Sequence, residues 1–337
     1  MLIYSPPATL DSVPVIDLKG GPGSDPGTHH DIALQIRDVC RNIGFFYISN
    51  HGVSADLVAN QFEWAKRFFA LPMDEKMAIH MRKSATTAGY EPIAEQRLDS
   101  QDPDSEAAPP DLKESYYCGL EVPDDHPFAR RHVRGIGHNQ WPASLPGFRD
   151  QMIAYQAEMR KLSDHLLTLI AQSLDLESNW FAGYHDWPGA VLRILRYPPQ
   201  PEMSEFNQIG AGAHTDWGGI TLLAQDNIGG LEVRNAADEW VAARPVPDTF
   251  VVNLGDLMTR WTNGVYRSTM HRVLNGQCEL ERYSIPYFCA PRFDAMIEPV
   301  PTCVGEDQPA EFEPCTTAEH MNEMFRLSYG YAATSEG

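Results

Sequence analysis

The chain has 337 residues, 43% of them hydrophobic, enough for one large domain or two small ones around a sizeable core. Its formal net charge of −20 argues against a nucleic-acid partner, which usually needs a basic patch, although a local arginine cluster is still compatible with a small anionic substrate. No apolar run reaches membrane-spanning length, Met1–Pro7 lacks the layout of a signal peptide, and six cysteines (Cys40, Cys118, Cys278, Cys289, Cys303, Cys315) without Cys-x-x-Cys spacing read as free thiols of a reducing cytoplasm.

Pro14–Leu18 predicts a short entry strand, and Gly20–Gly27 a Gly/Pro loop. Ile32, Ile36, Val39, Cys40 and Ile43 recur at helical spacing, and Gly44 stands in the C′ position that ends such a helix. Phe45–Ile48 predicts a buried strand. Ser54 is placed to cap a helix whose apolar face is Leu57, Val58, Phe62, Ala65, Phe68 and Phe69, and which Pro72 stops. His51, just ahead of it, is read as a turn or capping residue rather than a ligand. The acidic, Pro-rich run from Asp99 to Asp111 has little to bury and predicts a mobile loop, with a substrate lid as the alternative. Gly147–Leu174 predicts a long amphipathic helix, with Met152, Tyr155, Met159, Leu162, Leu166, Leu169 and Ile170 along the side that backs a sheet.

From Val191 the texture changes to short alternating runs: Val191–Tyr197, Gly219–Gln225, Leu231–Arg234, Trp240–Pro245, Phe250–Leu254, His271–Leu274 and Tyr283–Ala290. Gly, Pro, Asn and Asp separate them, with turn signals at Gly229-Gly230 and Asn263-Gly264. This is the pattern of a sandwich or barrel of antiparallel strands. Thr316-Thr317-Ala318-Glu319 has the layout of a capping box that opens a last helix to about Ser328. Ala332–Gly337 is expected to be disordered. The fold class is therefore α+β, with helices dominating the first half and a β core the second, and no case for independent domains.

Within that core, Ala213-His214-Thr215-Asp216 carries the first chemical signal. In an extended strand His214 and Asp216 share one face. A third ligand from His271 completes two imidazoles and one carboxylate, the facial arrangement associated with non-haem Fe(II) oxygenases. A lone His-x-Asp is a weak motif, and His29-His30-Asp31 matches it too, but there it runs into a helix start where i and i+2 do not share a face. Further on, Arg282 and Ser284 share a strand face and offer a guanidinium fork and a hydroxyl, well matched to a carboxylate.

The order His-x-Asp, then His271, then Arg-x-Ser at Arg282 and Ser284 resembles the isopenicillin N synthase-like family of Fe(II)/2-oxoglutarate-dependent dioxygenases. Arg196-Tyr197-Pro198, Val252–Asp256, Ile43–Phe46 and Asn50–Val53 fit the same family, so the resemblance runs from about Val13 to about Tyr329. It implies a double-stranded β-helix, or jelly roll, over about 185–295 within a single domain spanning 1–337. The part from about 13 to 150 would precede the core, and a closing helix over about 316–329 would follow it. It implies Fe(II) on His214, Asp216 and His271, 2-oxoglutarate as co-substrate held by Arg282, Ser284 and Tyr197, and O2 as oxidant. It also implies a small-molecule substrate, hydroxylated, desaturated or cyclised with release of succinate and CO2. Leu195 departs from the Asn of many plant members and is closer to the isopenicillin N synthase branch, which needs no 2-oxoglutarate. An oxidase of that type and an ethylene/succinate-forming enzyme are the alternatives.

The neighbours of the motif are open to two readings each. Asn253 and Asp256 orient a ligand, or Asp256 caps a turn. Trp217 walls the substrate pocket or simply packs. Arg193, Arg196 and Arg267 are expected at the solvated surface; any that faces inward would favour a carboxylate-bearing substrate.

Overall fold

A computed structural model describes residues 13–19, 26–98, 109–130, 136–200, 208–275 and 280–329. The chain starts with strand β1 (Val15–Asp17), helix α1 (Pro26–Asn42), strand β2 (Phe45–Ser49) and helices α2 (Ala55–Phe69) and α3 (Met73–Ala78). Strands β3 (Gly89–Glu91) and β4 (Glu114–Gly119) follow, then the short helix α4 (Pro127–Arg130) and the long helix α5 (Phe148–Ser173). Next come β5 (Gly189–Tyr197), β6 (Ala211–His214), β7 (Ile220–Gln225), β8 (Leu231–Arg234), β9 (Trp240–Ala242) and β10 (Phe250–Leu254). Helix α6 (Asp256–Trp261) precedes β11 (His271–Val273) and β12 (Arg282–Ala290). The chain closes with the paired strands β13 (Met296–Ile297) and β14 (Cys315–Thr316) and helix α7 (Thr317–Tyr329).

Eight strands form one sheet in the order β1-β2-β10-β7-β12-β5-β4-β3, and β6-β11-β8-β9 form a second. Every pairing in these sheets is antiparallel except β1 with β2. This is the jelly roll that the family resemblance implies, built from the antiparallel strands that the alternating runs predict. The period of two explains how the large sheet serves both core and site. Along β5, Ala190, Leu192 and Ile194 belong to the hydrophobic core alone, whereas Val191, Arg193, Leu195 and Tyr197 line the cavities between the sheets, Leu195 and Tyr197 packing against the core as well. Along β12, Ile285, Tyr287 and Cys289 are core, and Arg282, Ser284, Pro286 and Phe288 line the cavities.

Helix α5 buries the whole predicted stripe, from Met152 through Tyr155, Met159, Leu162 and Leu166 to Ile170, and packs against α1, α2 and the large sheet. Helix α1 ends as its sequence predicts. Gly44 has φ +66°, and its N–H bonds the Val39 carbonyl at 2.9 Å. A Cβ there would lie 2.1 Å from the Arg267 carbonyl oxygen, so the close approach also demands glycine. The orphan carbonyls of this helix end are satisfied by the segment ahead of β11: Arg267 N–H bonds Cys40 O at 3.0 Å, and Thr269 Oγ1 bonds Ile43 O at 2.6 Å. The segment that closes off α1 thus leads directly into His271.

Two local expectations differ in outcome. Ser54 occupies the N-cap of α2, but its hydroxyl makes no capping bond; Asp56 in the first turn supplies the favourable charge at that end. The capping box at α7 is complete. Thr316 N–H and hydroxyl both bond Glu319 Oε2 (2.7 and 2.8 Å), and Glu319 N–H bonds Thr316 Oγ1 at 3.2 Å. Thr316→Ala should therefore cost about 1 kcal/mol, read as a lower denaturant midpoint; an unchanged midpoint would show that the box adds nothing. Most of the expected loop at Gly20–Gly27 and all of the tail from Ala332 lie outside the described residues, as do 99–108 of the acidic loop. No helix of the described residues is long and apolar enough to cross a membrane.

Candidate active site and metal centre

His214 ends β6, and His271 begins β11 directly opposite it in the antiparallel register. Opposed residues on adjacent strands stand about 5 Å apart at Cβ, and here the ring centroids are 4.2 Å apart. Each imidazole is oriented by its own backbone. His214 Nδ1 bonds Gly212 O at 2.7 Å, and His271 Nδ1 bonds Thr269 O at 3.1 Å. A carbonyl only accepts, so each Nδ1 carries a proton, and Nε2 is the atom each ring offers to a metal. Burial, and then the neighbouring His271, hold His214 well below the usual imidazole range, so it is neutral. Phe45 packs its ring against His271 with centroids 5.1 Å apart.

Asp216 completes the group, but not as the strand argument expected. β6 stops at His214, and Asp216 lies in the connection beyond it. The turn is fixed instead by Asp256 N–H bonding Asp216 O at 2.8 Å and by Gly255, where a Cβ would meet Gly218 O at 2.3 Å. Thr215 does turn away, to Asp256 Oδ2 at 3.2 Å. Asp216 Oδ2 accepts from Thr221 Oγ1 at 2.5 Å and from Asn253 Nδ2 at 2.7 Å. That leaves Oδ1 facing the histidines, 4.0 Å from His214 Nε2 and 3.8 Å from His271 Nε2. Donor atoms of His214, Asp216 and His271 all lie within 4.8 Å of one another, the one such cluster among the described residues. Two imidazoles and one carboxylate, with no thiolate and no fourth protein donor among the described residues, fit Fe(II) with open coordination positions.

Beside this cluster is a cavity of about 70 Å³ lined by Tyr197, Leu223, Val273, Arg282 and Ser284. Arg282 is 2% exposed, yet its Nε and Nη1 are unpartnered, and Nη2 reaches only Gln225 Oε1 at 3.5 Å. A buried guanidinium left this way is costly unless an anion fills the space beside it. Tyr197 lies under the guanidinium with its ring centroid 4.8 Å from Cζ. Ser284 faces the same cavity and makes no hydrogen bond to Arg282. A second cavity of about 130 Å³ meets the first at His214, Asp216 and Arg193, and Trp217 walls it.

The expected solvated arginines divide. Arg193 is buried in an ion pair with Glu91, and Arg196 pairs with Glu114 and Glu281; burial of Glu91 and Glu114 within the sheet draws both inward. Arg267 is exposed. His51 is a turn residue, its Nδ1 accepting from Val53 N–H at 3.2 Å, and His29 packs its ring against His165 from within α1, outside the metal-ligating cluster. Asn253 does orient a member of the cluster. Asp256 shapes the turn; burial pushes its carboxyl up to about 6. Thr221, Gln225 and the Lys113–Asp111 pair, whose Asp111 Oδ1 accepts Gly212 N–H at 3.0 Å, join the site without a sequence signal. Nothing within a few residues of each marks it; only strand pairing brings it there.

Residues 13–144 match the family model described as non-haem dioxygenase in morphine synthesis N-terminal, and residues 188–291 match that of the 2OG-Fe(II) oxygenase superfamily. The chain is 37% identical over 325 residues to the 2-oxoglutarate-Fe(II) type oxidoreductase hxnY of Emericella nidulans, covering 95% of this chain and 91% of that one. The chain belongs to the Fe(II)/2-oxoglutarate-dependent dioxygenase family. Among solved structures, a full-length Neurospora crassa protein in complex with alpha-KG is similar at TM-score 0.80 and 30% identity, over 94% of this chain and 95% of that one. The same Neurospora protein in complex with alpha-KG and thymine gives 0.79 and 29%, over 94% and 96%. As a member of that family the chain takes Fe(II), 2-oxoglutarate and O2. Asn253→Ala should lower its iron affinity about 10- to 100-fold, measured by competition with a chelator; unchanged affinity would remove Asn253 from the site's support.

Proposed function

We propose that His214, Asp216 and His271 hold the iron of this dioxygenase, and that Arg282, with Ser284 and the ring of Tyr197, holds the far carboxylate of 2-oxoglutarate. The observation that carries this reading is Arg282: buried, unpaired with any carboxylate among the described residues, and facing a cavity that opens on the cluster. When bound, iron and 2-oxoglutarate supply the oxidation, the 2-oxo acid being cleaved to succinate and CO2 as O2 is consumed. The protein's own work is positioning. Gly212 and Thr269 carbonyls aim the two imidazoles, and Thr221 and Asn253 fix one carboxylate oxygen so that the other faces inward. Val191, Phe288 and Trp217 keep the neighbouring cavity apolar, which limits competing water.

The substrate enters the larger cavity, and we read it as a molecule hydroxylated, desaturated or cyclised there. The chain is read as one domain, because β1 to β4 from the first half join the same sheet as β5, β7, β10 and β12. The compartment we propose is the cytoplasm; Cys40, Cys118, Cys289 and Cys303 are buried and unpaired. Succinate release measured beside O2 uptake tests the assignment. One succinate per O2 in the presence of substrate is expected. Substrate oxidation with no succinate would assign instead the 2-oxoglutarate-independent oxidase chemistry.

A further inference from the structure

Arg193 stands where the two cavities meet, and its charge is already committed. Its Nε bonds Ser115 Oγ at 2.9 Å, and its Nη2 bonds Glu91 Oε2 and also Gln96 Oε1 at 3.2 Å. Glu91, 1% exposed, accepts further bonds from Ser115 Oγ at 2.7 Å and Tyr329 OH at 2.6 Å. Burial alone would raise the Glu91 carboxyl, but Arg193, Lys113, Tyr329 and Ser115 together hold it below the ordinary range, so it is ionised. Nη1 of Arg193 makes no hydrogen bond within the described residues and belongs to a side chain that lines the cavity.

The charges around the reacting centre cancel. Fe(II) with Asp216 carries one positive charge, and the 2-oxoglutarate dianion with Arg282 carries one negative. Arg193 cancels Glu91, and Lys113 cancels Asp111. Asp256, behind Asp216, adds negative charge or none. An anionic substrate would enter this apolar space with no charge left to answer it, which is strongly unfavourable. The space itself is about 130 Å³, walled by Met81, Val191, Trp217, Phe288, Met321 and Phe325. An apolar cavity on the order of 150 Å³ takes one benzene ring.

We propose that the substrate presents an uncharged single ring to the iron, with a carbonyl or ring-nitrogen acceptor on Arg193 Nη1, and that Glu91 is the residue that excludes the matching carboxylate. This rests on the iron and 2-oxoglutarate assignment above. The test uses anaerobic protein loaded with Fe(II) and saturating 2-oxoglutarate, titrated by calorimetry with benzamide and with benzoate near neutral pH. These probes share a ring and differ in charge. Benzamide is expected to bind at least tenfold more tightly than benzoate, and in Glu91→Gln, where Arg193 regains its charge, the ratio should move toward benzoate by tenfold or more. Benzoate equal to or tighter than benzamide in the unaltered protein overturns the proposal, whether or not the variant folds. So does binding of neither probe, or a folded variant with an unmoved ratio. The visible band of the Fe(II)–2-oxoglutarate complex, recorded in the same cell, shows separately whether the underlying site assignment stands.

Discussion

His271→Ala will give a folded protein that retains no stoichiometric iron through gel filtration and consumes no O2 with 2-oxoglutarate. The expectation follows from how few donors the site has. His214, Asp216 and His271 are the whole cluster, and removal of one leaves two donors with nothing among the described residues to replace it. The fold should survive, because the helix end ahead of His271 is held by Arg267 and Thr269 backbone and side-chain bonds rather than by the imidazole. The alanine variant leaves a gap beside Phe45, so its melting temperature should be recorded alongside. Full turnover by this variant would remove His271 from the iron site.

Arg282→Ala should leave iron affinity close to that of the parent and weaken 2-oxoglutarate severely. Truncating one member of a buried, hydrogen-bonded charge pair costs about 2–5 kcal/mol, or about 30-fold to a few thousandfold in affinity. The effect should fall on the KM for 2-oxoglutarate and on its Kd under anaerobic conditions. A second consequence separates this role from a structural one. Without an anion beside it, Arg282 is a buried and poorly partnered charge, so Arg282→Met should unfold at no lower denaturant than the parent when 2-oxoglutarate is absent. It should lose most of the stabilisation that 2-oxoglutarate confers on the parent. Unchanged dependence on 2-oxoglutarate would refute the assignment.

Much of this architecture is legible in the sequence, for identifiable physical reasons. The α5 stripe and the β5, β7, β10 and β12 runs bury apolar side chains at their own periods, so pattern alone finds them. Gly44 and the Thr316–Glu319 box announce helix ends because local backbone geometry demands those residue types. β6 shows no apolar run of its own, because Ala211, Gly212 and Ala213 do not alternate with polar residues; only the His-x-Asp motif marks a strand there. β3 and β4 are obscured by Glu91, Glu114 and Ser115, polar residues that read as surface and are buried only because Arg193, Lys76 and Arg196 meet them from distant elements. The same holds at the site. The three donors carry a motif, whereas Thr221, Gln225 and Lys113 acquire their roles only through strand register. His-x-Asp leads to the right residues for a partly wrong reason: Asp216 converges through a turn held by Asp256 and Gly255, not along a continuing strand.

The most direct measurement is an anaerobic titration of the Fe(II)-loaded protein with 2-oxoglutarate, followed in the visible range. A charge-transfer band that saturates at one 2-oxoglutarate per iron, and is missing from His271→Ala, is the predicted result. No band in the parent protein, or the same band at full strength in the alanine variant, would contradict a ferrous centre held by residues 214, 216 and 271.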